Sequence, residues 1–175
     1  MTGLAAPVGY GGEVRLGTVK VPDERIDALR KIFKPKKTTY AEIIFCDIPG
    51  EHGAEHKGLS RKAIEQIRSQ EVLCLVLRDF ENPAIESAPN PSADLEAFHA
   101  ECVLADLEII ERRLGRALKE KLDPLEVAAF NIMKTALEQG HPLRSLSAEA
   151  LSREYLKGYG VLSDRPLMVA LNLDE

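Results

Sequence analysis

Short apolar runs alternating with amphipathic helical patterns constrain this chain more than any other feature, because five or six consecutive apolar residues suit a strand and not a helix. Four runs stand out: Val14–Val21, Ala41–Cys46, Val72–Leu77 and Leu167–Leu171. The first is β-branched with partial alternation, and the other three have the apolar character of strands buried on both faces. Between them, Asp23–Phe33 follows Pro22, opens with acidic residues and carries Ile26, Leu29 and Ile32/Phe33 on one face. Ser60–Ser69 carries Ala63, Ile64 and Ile67 in the same way,. Strand and helix in alternation predict an α/β fold around a mainly parallel sheet.

One stretch departs from that alternation. From Asp94 to Gly140 no strand pattern occurs, and Val103, Leu107, Ile110, Leu114 and Ala117 recur at helical spacing,. Asp123-Pro124 then supplies an N-cap and a proline at the first helical position of a second helix, which Gly140 and Pro142 end near Gln139,. A single domain over 1–175 with a helical hairpin inserted at about 94–140 is expected. The hairpin is expected to pack against its domain, with a protruding, partner-binding arm as the alternative. Ser147 can cap one more short helix, although Ala150 three residues on completes no capping box,.

With 23 Lys+Arg against 28 Asp+Glu, the formal charge of -5 argues against a dedicated DNA-binding module while leaving room for a local basic patch,. The run Val72–Leu77 falls far short of the roughly 18 apolar residues of a membrane span,. No basic-then-apolar signal region opens the chain, so the expectation is a cytoplasmic protein with no membrane partner and no specific DNA partner,. Cys46, Cys74 and Cys102 form no C-x-x-C pair and read as buried thiols,.

Two places combine a strand end with polar groups. Phe45-Cys-Asp47-Ile-Pro-Gly50 delivers a carboxylate and a D-x-x-G turn just after an apolar run. Ligands of open parallel sheets bind beyond the carboxyl ends of strands. There Asp47 can hold Mg²⁺ through water, and the amide of Gly50 can approach a terminal phosphate because no Cβ intervenes. Asp47 as a plain turn or N-cap residue is the competing reading. Asn172-Leu-Asp-Glu175 follows the last strand, where an amide and a carboxylate can read the two edges of a purine; a polar chain end is the alternative.

Taken in order, these pieces resemble the Obg-like ATPase (YchF) family of P-loop GTPases/ATPases. The resemblance rests on Leu16-Gly-Thr-Val-Lys-Val-Pro-Asp-Glu-Arg25, Ile32-Phe-Lys-Pro-Lys-Lys-Thr38, Asp47-Ile-Pro-Gly50, Arg78-Asp-Phe-Glu-Asn-Pro83 and Leu104-Ala-Asp-Leu-Glu108. Asn172-x-x-Glu175 looks like the family's variant base-reading motif, and the hairpin like its coiled-coil insertion. The resemblance implies a three-layer, Ras-like α/β nucleotide-binding (G) domain that uses GTP or ATP with Mg²⁺ and associates with ribosomes. It implies Asp47 for the metal, and Gly50, Asn172 and Glu175 for the nucleotide. No catalytic residue is assigned.

The chain departs from that pattern in three ways. It contains no G-x-x-x-x-G-K-[ST], the loop whose amides, lysine and hydroxyl hold phosphates and Mg²⁺, so little hydrolysis is expected of it and no bound nucleotide or metal need follow,. Gly9-Tyr-Gly-Gly12 stands near the family's switch threonine, and Glu51 follows the D-x-x-G turn, where its charge would repel a γ-phosphate,. By the resemblance the sequence reads as an internal piece lacking the first, central strand. The strands ending at Asp47 and Arg78 would then have unpaired edges, which favours self-association.

Two other readings compete. His52-x-x-Glu55-His56 has the order of an inverted zinc-peptidase motif, but Gly50, Gly53 and Gly58 mark a loop and no third ligand follows,. Arg30-Lys-Ile-Phe-Lys-Pro-Lys-Lys37 places five basic residues in one segment. Lys34, Lys36 and Lys37 there can contact ribosomal RNA phosphates, which with the hairpin makes a non-catalytic RNA- or ribosome-binding module the alternative function. His99 and His141 read as surface residues.

Overall fold

The computed structural model describes residues 14–48, 59–83, 85, 87–147 and 151–174. In chain order they form β1 (Arg15–Lys20), α1 (Glu24–Phe33), β2 (Glu42–Asp47), α2 (Arg61–Arg68), β3 (Leu73–Asp79), α3 (Pro91–Glu120), α4 (Pro124–Glu138) and β4 (Leu167–Leu173). Two single 3-10 turns, Leu143–Ser145 and Arg153–Leu156, lie between α4 and β4. All four expected strands are present within two residues of their sequence bounds. The short helix expected to start at Ser147 falls on 148–150, outside the described residues.

The chain divides into two compact units, 1–54 and 55–175. In the first, β1 and β2 pair antiparallel, from Arg15 opposite Asp47 to Lys20 opposite Glu42. Between them Asp23 caps α1 by accepting from the Arg25 amide at 2.9 Å,. Arg30 and Lys31 occupy the last turn of α1, where they complement the helix dipole,. No residue of α1 is buried. In the second unit β3 and β4 pair parallel, Leu73 opposite Leu167 through Asp79 opposite Leu173. Strand pairing among the described residues is therefore mixed: apolar runs specify strands but carry no information about direction.

Burial also differs from the two-sided pattern expected of the strands. Leu73 and Leu77 of β3 are buried, whereas Val76 is 63% exposed. Ile43 and Ile44 of β2 and Met168, Val169 and Leu171 of β4 are exposed as well. Among the described residues each pairing has two strands, and a two-stranded ribbon leaves much of its apolar surface uncovered,. The thiols follow suit: Cys102 is buried as expected, but Cys46 is half-buried and Cys74 exposed. Burial pushes the Cys102 thiol up to about 12, with the Asp106 charge adding to the effect, so it stays protonated,.

The core of the second unit lies under the helices. Val103 and Ile110 of α3 pack with Ala129, Phe130, Met133 and Leu137 of α4, and Leu143, Leu151, Leu156 and Val161 fill in from the connection to β4. Asn90 caps α3 ahead of Pro91, and Asp123 caps α4 ahead of Pro124, accepting from the Leu125 amide at 3.0 Å,. Arg113 of α3 crosses to Glu126 of α4 at 2.7 Å and meets Glu120 at the end of its own helix at 2.5 Å, and its guanidinium lies 6.0 Å from the Tyr159 ring centroid. Tyr159 meets Phe130 edge to face at 5.7 Å,.

Within this apolar core sits one fully buried carboxylate, Asp106 of α3. Its Oδ2 accepts from the Ser163 amide at 2.6 Å, and both oxygens accept from the Leu162 amide at 2.9 Å. Arg68, at the end of α2, brings Nη1 to 3.7 Å from Oδ1 and donates to the Ala105 and Gly160 carbonyls at 3.0 and 2.9 Å. Gly160 has φ +62, and a Cβ there would also stand 3.6 Å from Arg68 Cβ,. Ser163 Oγ accepts from the Leu143 amide at 3.2 Å, and Arg165 Nη2 donates to the Arg68 carbonyl at 2.9 Å. One side chain thus organises α2, α3 and the approach to β4. Asp106→Ala leaves two amides without their acceptor and Arg68 without its opposing charge, and is expected to lower stability by about 3–5 kcal/mol in urea unfolding monitored by circular dichroism,. Asp106→Asn, which replaces one acceptor by a donor, should cost about 1–3 kcal/mol. Equal unfolding midpoints for wild type and Asp106→Ala would refute the clamp.

Candidate functional site

The two parallel strands of the second unit deliver their carboxyl ends to the same side. Asn172, the residue before the last of β4, stands in register with Arg78 of β3. It is exposed, at the place from which a base-reading amide would act,. Arg78 holds the chain that leaves β3, donating to the Phe80 carbonyl at 3.2 Å and to the Ser87 carbonyl at 2.7 Å. The segment after β3 is tied down beside Asn172 by main-chain acceptors, which gives the Arg78-Asp-Phe-Glu-Asn-Pro83 motif a structural reason.

The other expected site residues lie in the first unit or outside the described residues. Asp47 is the last residue of β2, exposed and opposite Arg15, in the first unit. Gly50 and Glu175 lie outside the described residues, as do His52, Glu55 and His56. Among the described residues no group of three or more His, Cys, Asp or Glu side chains could hold a metal ion. Mg²⁺ keeps several waters and takes one or two carboxylates, so the exposed Asp47 at a strand end fits a water-rich ion of that kind.

Lys34, Lys36 and Lys37 are exposed beyond α1. Lys34 adopts φ +43 as the helix C-cap, its amide donating to the Arg30 carbonyl at 3.0 Å. Beside them Ile32 and Phe33 are 70% and 74% exposed. The segment therefore presents cations together with an aromatic ring, a pairing that the wide spacing of aromatic residues in the sequence did not predict.

Against these placements, no family model matches the chain. It is 31% identical over 170 residues to the ribosome-binding ATPase YchF of Bacillus subtilis, covering 91% of this chain and 46% of that protein. The protein of the same name from Pasteurella multocida is 31% identical over 173 residues, covering 93% of this chain and 48% of its own length. The chain belongs to the YchF family. It spans about half the length of the curated relatives it matches. The structure of the Schizosaccharomyces pombe YchF GTPase aligns with a TM-score of 0.70 at 24% identity over 91% of this chain and 47% of that one, so the fold is the α/β fold of P-loop NTPases. No helix among the described residues is long and apolar enough to cross a membrane.

Two residues behave differently from their sequence reading. Asp106 lies within Leu104-Ala-Asp-Leu-Glu108, one of the stretches that carry the resemblance, yet its role as a clamp was not assigned. The available signal was a carboxylate three residues after Val103 and four before Ile110, on the apolar stripe of α3,. Burial raises the Asp106 carboxyl above its ordinary range, opposed by the Leu162 and Ser163 amides, the Ser163 hydroxyl and Arg68. His99, read as a surface residue, is half-buried, and its Nε2 has no hydrogen-bond partner among the described residues; His141 is exposed as expected. Burial first, and then the charge of Arg144, lower the His99 pKa below its ordinary 6.5,. The folded chain accordingly holds His99 neutral where the unfolded chain begins to bind a proton. Stability is then present above the ordinary value and lost as pH falls from 6.5 toward the folded pKa,. His99→Gln should flatten that decline in urea midpoints; an unchanged slope would remove His99 as its source.

Proposed function

We propose that this chain is a nucleotide-binding domain of a cytoplasmic, ribosome-associated, YchF-type NTPase. The observation that carries the reading is 31% identity to ribosome-binding ATPases over 91% of the chain, with Asn172 at the carboxyl end of β4 as its local support. In this reading Asn172 and Glu175 take the base, Gly50 approaches the γ-phosphate through its amide, and Asp47 supports Mg²⁺. The metal would neutralise phosphate charge. Because the sequence has no G-x-x-x-x-G-K-[ST], the amides and lysine that dominate phosphate binding are not available from it,. GTP or ATP is held chiefly through the base, and hydrolysis by this chain is slow or nil.

Calorimetry with ATP and with GTP, each with Mg²⁺, tests this reading. Micromolar binding that Asn172→Ala abolishes is the expected outcome. No heat up to millimolar nucleotide would overturn nucleotide binding by this chain and leave its fold as a scaffold.

A second reading is favoured by the exposed cations Lys34, Lys36 and Lys37 beside exposed Phe33. In this reading the segment contacts ribosomal RNA phosphates while the ring stacks on an unpaired base. Binding to ribosomal RNA fragments should weaken steeply with salt, and Lys34→Ala/Lys36→Ala/Lys37→Ala should reduce the salt slope by about 2–3. An unchanged slope in the triple variant would dismiss the segment as the contact.

A further inference from the structure

Two side chains stand next to each other at the carboxyl end of the β3–β4 ladder, and base reading by Asn172 uses only one of them. Arg78 and Asn172 are register partners in a parallel pair, so their side chains leave the same face of the ladder on strands about 5 Å apart,. Alternation along β3 puts Leu73 and Leu77, both buried, on the opposite face,. The packing that buries those leucines therefore gives no reason for an arginine at position 78.

The guanidinium of Arg78 is committed to the main chain. Its Nη1 donates to the Phe80 carbonyl at 3.2 Å and its Nη2 to the Ser87 carbonyl at 2.7 Å. One rigid, planar fork thus draws two distant points of the connection between β3 and α3 to the end of β3. Within that connection the Ile85 amide donates to the Asn82 carbonyl at 2.9 Å. Three residues past Ser87, Asn90 caps α3 by accepting from the Ala93 amide at 3.1 Å,. The connection is pinned at one end by Arg78 and at the other by the helix cap. Lysine in place of Arg78 would present its donors on a single rotating nitrogen and lack the fixed fork.

Ligands of open α/β sheets lie beyond the carboxyl ends of the strands, among the connections that leave those ends. The connection leaving β3 is held beside Asn172, so a base read by the Asn172 amide would lie against it. We propose that Arg78 is a positioning residue of the nucleotide site: it holds the chain after β3 to the ladder so that the Asn172 amide meets the base in one fixed geometry. This role rests on base reading by Asn172 and includes no contact between Arg78 and phosphate.

Calorimetric titration of the full chain with ATP and GTP, each with Mg²⁺, and with adenosine and guanosine tests the role. Arg78→Met is expected to raise Kd roughly tenfold, the effect of a lost charge-assisted hydrogen bond, and by the same factor for each nucleotide and its nucleoside. Arg78→Lys keeps the charge without the fork and should lose a similar factor. In both variants hydrogen exchange should quicken at the Ile85 amide and stay unchanged at Phe130 and Met133 of the buried core,. Wild-type affinity in a folded Arg78→Met variant would overturn the role. A loss confined to the phosphorylated ligands would overturn it too, because it marks a direct phosphate contact. So would unchanged exchange at Ile85, or faster exchange at Phe130 and Met133 as well, which marks general loosening. A wild-type chain that binds none of the four ligands would overturn base reading by Asn172 and this role with it, so the two failures are told apart.

Discussion

A carboxylate with no exposure to water must find its compensation inside the protein, and in this chain that requirement falls on Asp106,. Its oxygens take the Leu162 and Ser163 amides, and Arg68 supplies the opposing charge from α2. The consequences spread outward through main-chain contacts. Arg68 fixes the Ala105 and Gly160 carbonyls, Arg165 fixes the Arg68 carbonyl, and Pro166 then meets Leu73 at the start of the β3–β4 ladder. The place of β4 beside β3, and hence of Asn172 opposite Arg78, depends on this chain of contacts as much as on the ladder itself.

The apolar mass is distributed unlike that of a sheet-centred domain. The largest fully buried side chains, Phe130, Ile110 and Met133 among them, belong to α3 and α4. The strands, although the most apolar segments in sequence, leave much of their surface in water. A two-stranded ribbon has two edges and two faces, and among the described residues α3 packs against β3, where Leu73 and Leu77 are buried and Val76 is exposed,.

Much of this was legible in the sequence. Strand length, the caps at Asp23, Ser60 and Asp123 and the proline after the last of them are local features, and local features fix these elements to within a residue or two,. The motifs around Asp47, Arg78 and Asp106 were sufficient to name the family. The burial of His99 and the exposure of Cys74 were not legible, because burial is a property of what packs against a residue and periodicity reports only that some face is apolar. The Asp106 clamp hid for the same reason: its amide partners lie more than fifty residues away,.

The sequence alone therefore determined the order and type of the elements, the α/β class and the family, since these follow from periodicity, capping and short motifs along the chain. Tertiary structure decided which carboxylate is buried, and that β1 and β2 run antiparallel while β3 and β4 run parallel. Those outcomes depend on contacts between residues distant in sequence, where a hydrogen bond or a neutralised charge is worth far more in an apolar interior than in water.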